Sequence, residues 1–251
     1  MTAPANNMRS LDRAFDVLDT LQSSNQPLRL SEVARNADLH IATVQRILNV
    51  LVSRGFASRT GVGYTAGPAA LAVAHAFLMS NPVSALSHQV LQQLAAITQL
   101  TASLYVRVED SRVLVSRVEG KNPLSYVLPV GERLPLHLGG AGKVILAELN
   151  GDERTKILDS IDDTEIADSP IPDRAVLLDQ LDAIRTSGYA VSVSERLDGI
   201  ASVTAPVRTQ DGQLAAVLGV TGPETALTAT TLDEVISEVR RAASFLGSRL
   251  P

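Results

Sequence analysis

The sequence predicts an α+β protein built around a largely antiparallel sheet. Apolar residues recur with helical spacing near both ends of the chain, and pairs of alternating, strand-like segments lie between them. The composition is 45% hydrophobic, which is sufficient for a sizeable core. The length of 251 residues corresponds to one or two domains, at about 100–200 residues each.

The composition excludes several classes of function. The chain has no cysteine, which excludes disulfides, thiolate zinc sites, iron–sulfur clusters and cysteine nucleophiles. Its four histidines are scattered, so we expect no metal and no cofactor. The N-terminus has no apolar leader, and the longest apolar stretch, Ala69–Met79, is too short for a bilayer that needs about 20 residues. We therefore expect a cytoplasmic protein that makes no membrane contact.

Three helices are predicted at the start of the chain. The first spans Ser10–Leu21 with Ser10 as its cap, and the second spans Ser31–Asn36 with Ser31 as its cap. The third spans Ile41–Arg54 and ends at Gly55. One face of the first helix is predicted to point inward: Leu11, Ala14, Phe15, Leu18 and Leu21.

A glycine-containing hairpin around Gly61 and Gly63 follows, which completes the outline of a winged helix-turn-helix. The third helix has a polar face suited to base edges and phosphates, and the flanking elements add two more candidates. The candidate DNA-binding residues are Ser31, Thr43, Gln45, Arg46, Asn49 and Arg59. A small helical bundle with a solvated polar face remains the alternative.

The charge is distributed unevenly along the chain. Residues 1–65 contain seven arginines and five acidic residues, although the whole chain has a net charge of −5. A basic segment on an acidic body is expected when only one domain contacts phosphate.

The rest of the chain alternates between helices and strands. A helix is predicted through Leu86–Leu94, and the last helix has an amphipathic pattern over Leu232–Leu246. Between them we predict strands at Ala102–Val108, Val113–Val118, Leu124–Leu128, Tyr189–Ser194, Val203–Val207 and Leu214–Val220, and helices at 139–149, 152–160 and 174–187.

A glycine-rich segment, Leu138–Lys143, precedes one of these helices. It is not a nucleotide-binding P-loop, because His137 and Val144 stand where that motif requires glycine and a hydroxyl. Free backbone N–H groups at a helix start favour an anion, and a tight turn is the alternative. Glu195 and Asp198 show no spacing that singles them out as a catalytic pair, and we predict no catalytic residue.

Nine segments together resemble the IclR family of transcriptional regulators, in order and in spacing. They are Ser10–Leu18, Leu30–Ala34, Thr43–Leu48, Tyr64–Gly67, Leu134–Lys143, Gly188–Ala190, Glu195–Gly199, Ala205–Val207 and Val220–Pro223. The resemblance implies a winged helix-turn-helix domain over 9–66, a linker and dimerisation helix over 67–82, and a GAF-like (profilin-like) α/β effector domain over 83–251. It further implies a homodimer or dimer of dimers on double-stranded, pseudo-palindromic operator DNA.

The resemblance also implies a small carboxylic or aromatic acid as effector. Its pocket residues in this chain would be Gly140, Ala141, Gly142, Ser192, Ser202, Gly219 and Thr221. Because some members have an acid, a cysteine and a serine at the positions of Ser192, Ser202 and Gly219, we expect a less acidic pocket that is roomier at Gly219. That predicts an effector larger than a two-carbon acid.

A second interpretation remains open. The chain is then a small-molecule-binding protein or an enzyme that does not bind DNA, and its N-terminal bundle serves only for dimerisation. Salt dependence separates the two, because a DNA-binding protein loses affinity steeply as salt increases. Under the first interpretation, the regulator is a repressor or an activator.

Overall fold

The computed structural model describes residues 8–121, 128–161, 174–227 and 229–250. The chain divides into two compact units between Ser80 and Asn81. The helix predicted as a linker therefore belongs to the first unit, and the predicted strand at Leu124–Leu128 lies almost entirely outside the described residues.

The first unit is a winged helix-turn-helix, as predicted. Its elements are α1 (Arg9–Gln22), α2 (Leu30–Asn36), α3 (Ile41–Ser53), β1 (Ala57–Arg59), β2 (Tyr64–Ala66) and α4 (Ala69–Ser80). Strands β1 and β2 pair antiparallel to form the wing. Apolar residues from all three N-terminal helices and the wing form one core: Val17, Leu21, Val33, Ala34, Val44, Leu48, Leu51, Ala57 and Tyr64.

The inward face predicted for α1 is partly wrong. Val17 and Leu21 are buried, but Leu11 and Phe15 are 47% and 55% exposed. A helix can carry a wider apolar surface than its neighbours cover. Here, only the second half of α1 contributes buried residues to the core.

Both predicted serine caps are also wrong. Helix α1 begins at Arg9 with Met8 at the N-cap position, so Ser10 lies inside the helix. Helix α2 begins at Leu30, and the Glu32 carboxylate accepts a hydrogen bond from the Arg29 backbone N–H at 2.7 Å. An acidic side chain three residues into the helix thus satisfies the backbone N–H of the residue that precedes the helix.

The second unit is an α/β domain with one six-stranded antiparallel sheet. Its strands are β3 (Thr101–Val108), β4 (Ser111–Val118), β5 (Arg133–Pro135), β6 (Ala190–Val193), β7 (Ile200–Arg208) and β8 (Leu214–Pro223). Its helices are α5 (Pro82–Thr98), α6 (Gly139–Glu148), α7 (Gly151–Asp159), α8 (Arg174–Ser187) and α9 (Ala229–Gly247). The strand order is β5-β4-β3-β8-β7-β6.

Helices cover both faces of this sheet. Helices α5 and α9 pack with Val203, Leu218 and Val220 in the larger core, and α6 to α8 pack with Val217 in the smaller one. Because successive side chains in a strand point to opposite faces, Gly219 and Thr221 lie on the same face as Val217. Strand alternation therefore places small and polar residues opposite the start of α6.

No single described helix is long and apolar enough to cross a membrane. Helices α4 and α5, counted as one segment with a break, are long and apolar enough to cross a membrane by length and composition only. The buried face of α5 packs in the core of the second unit, which accounts for its apolar residues.

Candidate DNA-binding surface and ligand pocket

Helix α3 has a polar surface that is available for DNA. Arg46 and Asn49 are exposed, and Thr43 is half-buried on the same helix. The turn before α3 has Asp38 in the left-handed region at φ 49°, and His40 Nδ1 then caps the helix by accepting from the Ala42 N–H at 3.3 Å.

Gln45 joins this helix to the wing. Its Nε2 donates to Asn49 Oδ1 at 3.0 Å and to the Tyr64 hydroxyl at 3.3 Å. The Gln45 amide predicted to read a base is therefore held by contacts inside the unit. These contacts fix the position of the helix relative to β2.

The wing holds Arg59 at the end of β1. The Arg59 side chain is exposed, and its guanidinium lies 6.0 Å from the centre of the buried Tyr64 ring. The wing turn requires Gly63, since a Cβ there would lie 2.3 Å from the Leu28 carbonyl oxygen. Ser31 is exposed in the first turn of α2.

All arginines of the first unit are exposed: Arg9, Arg13, Arg29, Arg35, Arg46, Arg54 and Arg59. None of them forms an ion pair within the part of the chain that is described. Unpaired, solvated guanidinium groups are free to contact phosphates.

The second unit has a cavity of about 60 Å³ between the start of α6 and strands β6 to β8. Six of the seven residues predicted for the effector line it: Gly140, Ala141, Ser192, Ser202, Gly219 and Thr221. Gly142 does not. A Cβ at Gly142 would lie 2.2 Å from the Leu136 carbonyl oxygen, so this glycine serves close backbone packing.

The expected extra room at Gly219 is absent. A Cβ at Gly219 would lie 2.4 Å from Thr204 Cγ2 and 2.5 Å from the Val203 carbonyl oxygen. The neighbouring strand already fills the space that the missing side chain leaves. The cavity is small in this conformation, at about 60 Å³.

Glu195, which the sequence analysis did not single out as a site residue, also lines the cavity. Glu195 Oε2 accepts from the Gly139 N–H at 3.0 Å, and Oε1 accepts from Lys143 Nζ. Lys143 also donates to Gln180 Oε1 at 3.0 Å and is only 3% exposed. The start of α6 therefore binds a carboxylate, as predicted for an anion, but that carboxylate belongs to the protein itself.

Sequence reasoning missed Arg112, which lines the same cavity from β4. Arg112 is 3% exposed, donates to the Pro135 carbonyl oxygen, and places its guanidinium 5.8 Å from the centre of the Tyr105 ring. Burial lowers the pKa of Arg112 to about 10, so the side chain is positively charged at neutral pH. The available signal was an arginine directly before the apolar run Val113–Val115 of β4.

Two further polar groups are buried near this site without a hydrogen-bond partner in the described residues. They are Thr204 Oγ1, which lines the cavity, and His137 Nε2. Burial lowers the pKa of His137, and the positive charge of Arg112 lowers it further. His137 is therefore neutral at pH 7.

A winged helix-turn-helix followed by an α/β domain is the architecture of a class of DNA-binding transcriptional regulators. The family model described as IclR helix-turn-helix domain matches residues 10–61, and the model described as bacterial transcriptional regulator IclR C-terminal matches residues 75–247. The chain belongs to the IclR family of transcriptional regulators.

Individual relatives agree with this assignment. The HTH-type transcriptional regulator BhcR of Paracoccus denitrificans is 30% identical over 244 residues, covering 95% of this chain and 87% of that protein. An IclR transcriptional regulator from Alicyclobacillus acidocaldarius has a TM-score of 0.84 at 22% identity, covering 97% of this chain and 99% of that one. An IclR homologue from Microbacterium hydrocarbonoxydans, crystallised with 4-hydroxybenzoate, has a TM-score of 0.78 at 19% identity, covering 96% and 98%.

Proposed function

We propose that this regulator binds a double-stranded operator through α3 and the wing, and that a small carboxylic or aromatic acid in the second unit changes its affinity for DNA. The observation that carries the proposal is the winged helix-turn-helix with its seven exposed arginines, none of which forms an ion pair with a described residue. The cavity at the start of α6 and the 4-hydroxybenzoate complex of a protein with the same fold support an acid as effector.

The proposed assembly is a homodimer or a dimer of dimers. Helix α4 has no buried residue, although Leu71, Val73 and Phe77 are among its apolar side chains. Together with Leu11 and Phe15 of α1, they are exposed apolar side chains that a second copy of the chain would cover. Two-fold symmetry of the protein would then match a pseudo-palindromic operator.

The effector acts through linkage between two sites. An acid that favours a dimer geometry with the recognition helices mis-spaced lowers DNA affinity, and DNA lowers affinity for the acid by the same factor. A coupling free energy of about 1–3 kcal/mol changes DNA affinity about 5–150-fold.

The decisive experiment is a gel-shift titration of the full chain on its own upstream DNA at two salt concentrations. We expect specific retardation that weakens steeply with salt, because bound phosphates release counterions. The same assay then screens acids for an effector. A chain that shows no salt-dependent DNA affinity, with or without the acids, is not a DNA-binding regulator.

Arg46 gives the sharpest variant for this assay. We expect Arg46→Ala to weaken operator binding by about 1–3 kcal/mol if its guanidinium reads a base. Arg46→Lys keeps the charge but loses the planar fork, so it separates base reading from phosphate contact. Arg240→Ala removes an exposed arginine from the second unit and is the matched control. Equal operator affinity in wild type and Arg46→Ala contradicts the role assigned to α3.

A further inference from the structure

A groove runs between helices α1 and α3 of the first unit. It has a volume of about 420 Å³, and the residues that line it come from these two helices: Ser10, Arg13, Ala14, Thr43, Arg46, Ile47, Val50 and Leu51. Pockets for small molecules have volumes of about 300–1,000 Å³ and are lined mainly by apolar side chains with a few polar groups. The α1–α3 groove therefore has the size and the lining of a ligand site.

The apolar side chains of the α1–α3 groove are only partly covered by the protein itself. Ala14 and Ile47 are half-buried, and Val50 is 58% exposed, whereas Leu51 belongs to the core of the unit. Covering apolar surface that water contacts is favourable. A ligand that fits this groove consequently has an apolar body.

The polar side chains of the groove select the charge of its ligand. Arg13 of α1 and Arg46 of α3 both line it, and neither forms an ion pair with a described residue. Ser10 and Thr43 add two hydroxyl groups, and among the described residues none that lines the groove is acidic. Two guanidinium groups and two hydroxyls are donors for an acidic group, and the charges repel a cation.

We propose that the α1–α3 groove binds a small amphiphilic anion, with its acidic headgroup at Arg13 and Arg46 and its apolar body against Val50. This site goes beyond the proposed function, because it lies in the DNA-binding unit and does not involve the cavity at the start of α6. Thr43 and Arg46 are also proposed DNA contacts, so the ligand and the operator require the same side chains. The ligand is thus a direct competitor of DNA, a consequence that rests on the proposed function.

The probe is the aromatic sulfonate 8-anilinonaphthalene-1-sulfonate, whose fluorescence increases in apolar surroundings. N-phenyl-1-naphthylamine has the same aromatic body without the sulfonate and serves as the neutral probe. Both are titrated into the full chain at about 0.15 M salt, where charges more than about 8 Å apart are largely screened. Because the neutral probe is itself more apolar, the informative quantity is the effect of each variant on the two probes.

Val50 provides the charge test. Val50→Lys and Val50→Asp remove the same apolar side chain but place opposite charges in the groove. We expect the sulfonate to bind Val50→Lys at least about tenfold more tightly than Val50→Asp, whereas the neutral probe binds both alike.

Val52 is the matched control position. It is also exposed in the last turn of α3, but it does not line the groove, since two residues along a helix turn by about 200°. The sulfonate should bind Val52→Lys and Val52→Asp within about twofold of each other, because charges outside the groove are screened.

Arg13→Gln tests the same site from the other helix. Arg13 is exposed, so its loss leaves the core intact and carries the test even if a Val50 variant fails to fold. We expect it to weaken sulfonate binding about three- to fivefold, the size of an exposed charge pair, and to leave the neutral probe unaffected. Circular dichroism verifies that each variant is folded.

Competition is measured by the fluorescence anisotropy of the chain's own upstream DNA, labelled with a red dye. A ligand that occupies the DNA-binding side chains raises the apparent Kd for DNA in proportion to its concentration, without a plateau. An effector that acts by linkage reaches a plateau at its coupling factor, about 5–150-fold. We expect the sulfonate to show no plateau with wild type, and a plateau contradicts the competition.

Three results overturn the site: no binding of the sulfonate to wild type, a Val50 ratio no larger than the Val52 ratio, or a folded Arg13→Gln with unchanged sulfonate affinity. Failure of the proposed function looks different. A wild type that passes the three probe tests but binds no DNA retains the groove site and refutes the regulator, whereas salt-sensitive DNA binding without a groove site does the reverse.

Discussion

Replacing Glu195 by glutamine tests whether the carboxylate at the start of α6 holds the second unit together. Glutamine keeps an oxygen that can accept from the Gly139 N–H, but it leaves Lys143 with Gln180 as its remaining partner. The Lys143 side chain is 4% exposed and that of Glu195 is 27% exposed. The substitution therefore isolates a cation that water cannot easily reach.

The expected cost follows from this burial. Breaking a fully buried pair by removing one partner costs about 3–5 kcal/mol. Because Glu195 is partly exposed, we expect about 2–3 kcal/mol for this pair. For a unit of this size, each kcal/mol lowers the melting temperature by about 2–4 °C. The double variant Glu195→Gln with Lys143→Met should recover much of the loss, because it also removes the isolated charge.

Glu238→Gln is the matched control. The Glu238 side chain is 28% exposed, close to the value for Glu195, but its partner Arg241 is 67% exposed instead of buried. We expect this control to cost less than about 1 kcal/mol. Calorimetry and urea unfolding followed by circular dichroism measure both variants. If Glu195→Gln costs no more than Glu238→Gln, the burial argument is refuted.

Three other substitutions test separate parts of the structure. Tyr64→Phe removes the hydroxyl that accepts from Gln45 and should cost about 1 kcal/mol in unfolding free energy, whereas an unchanged urea midpoint would show that this contact contributes nothing. Gly219→Ala should cost about 1–3 kcal/mol because its Cβ collides with the neighbouring strand, while Gly151→Ala, with open space around it, should be neutral in the same unfolding assay. Burial and then the charge of Arg112 lower the pKa of His137, so its contribution to stability is complete above about pH 6.5 and is lost as the pH falls below that value. His137→Gln should accordingly lose less stability between pH 7 and pH 5 than wild type does, and an equal loss would exclude His137 as a source of acid sensitivity.

Most helices and strands were predictable because they follow local periodicity. Helix α3 follows its apolar positions and ends before Gly55, which has φ 77°. Such patterns depend on neighbours within a few residues, which the sequence displays directly. The family resemblance predicted Ser202 and Thr221 as pocket residues, and both line the cavity.

The predictions that were wrong concern which residues are buried and which distant residues they contact. The apolar surface of α1 was visible, but which part of it other helices cover depends on packing. The space beside Gly219 is filled by Thr204 of the neighbouring strand, a contact that the sequence around Gly219 does not reveal.

The amino-acid sequence by itself determined the fold class, the family, the polar face of α3 and the anion-binding character of the start of α6. Only the tertiary structure decided that Glu195, which lies 52 residues after Lys143, provides the carboxylate there, and that Arg112 lies buried beside them. The physical reason is that the state of a charged group depends on burial and on its partners in space. Both are set when distant segments pack, and neither follows from the residue's local pattern.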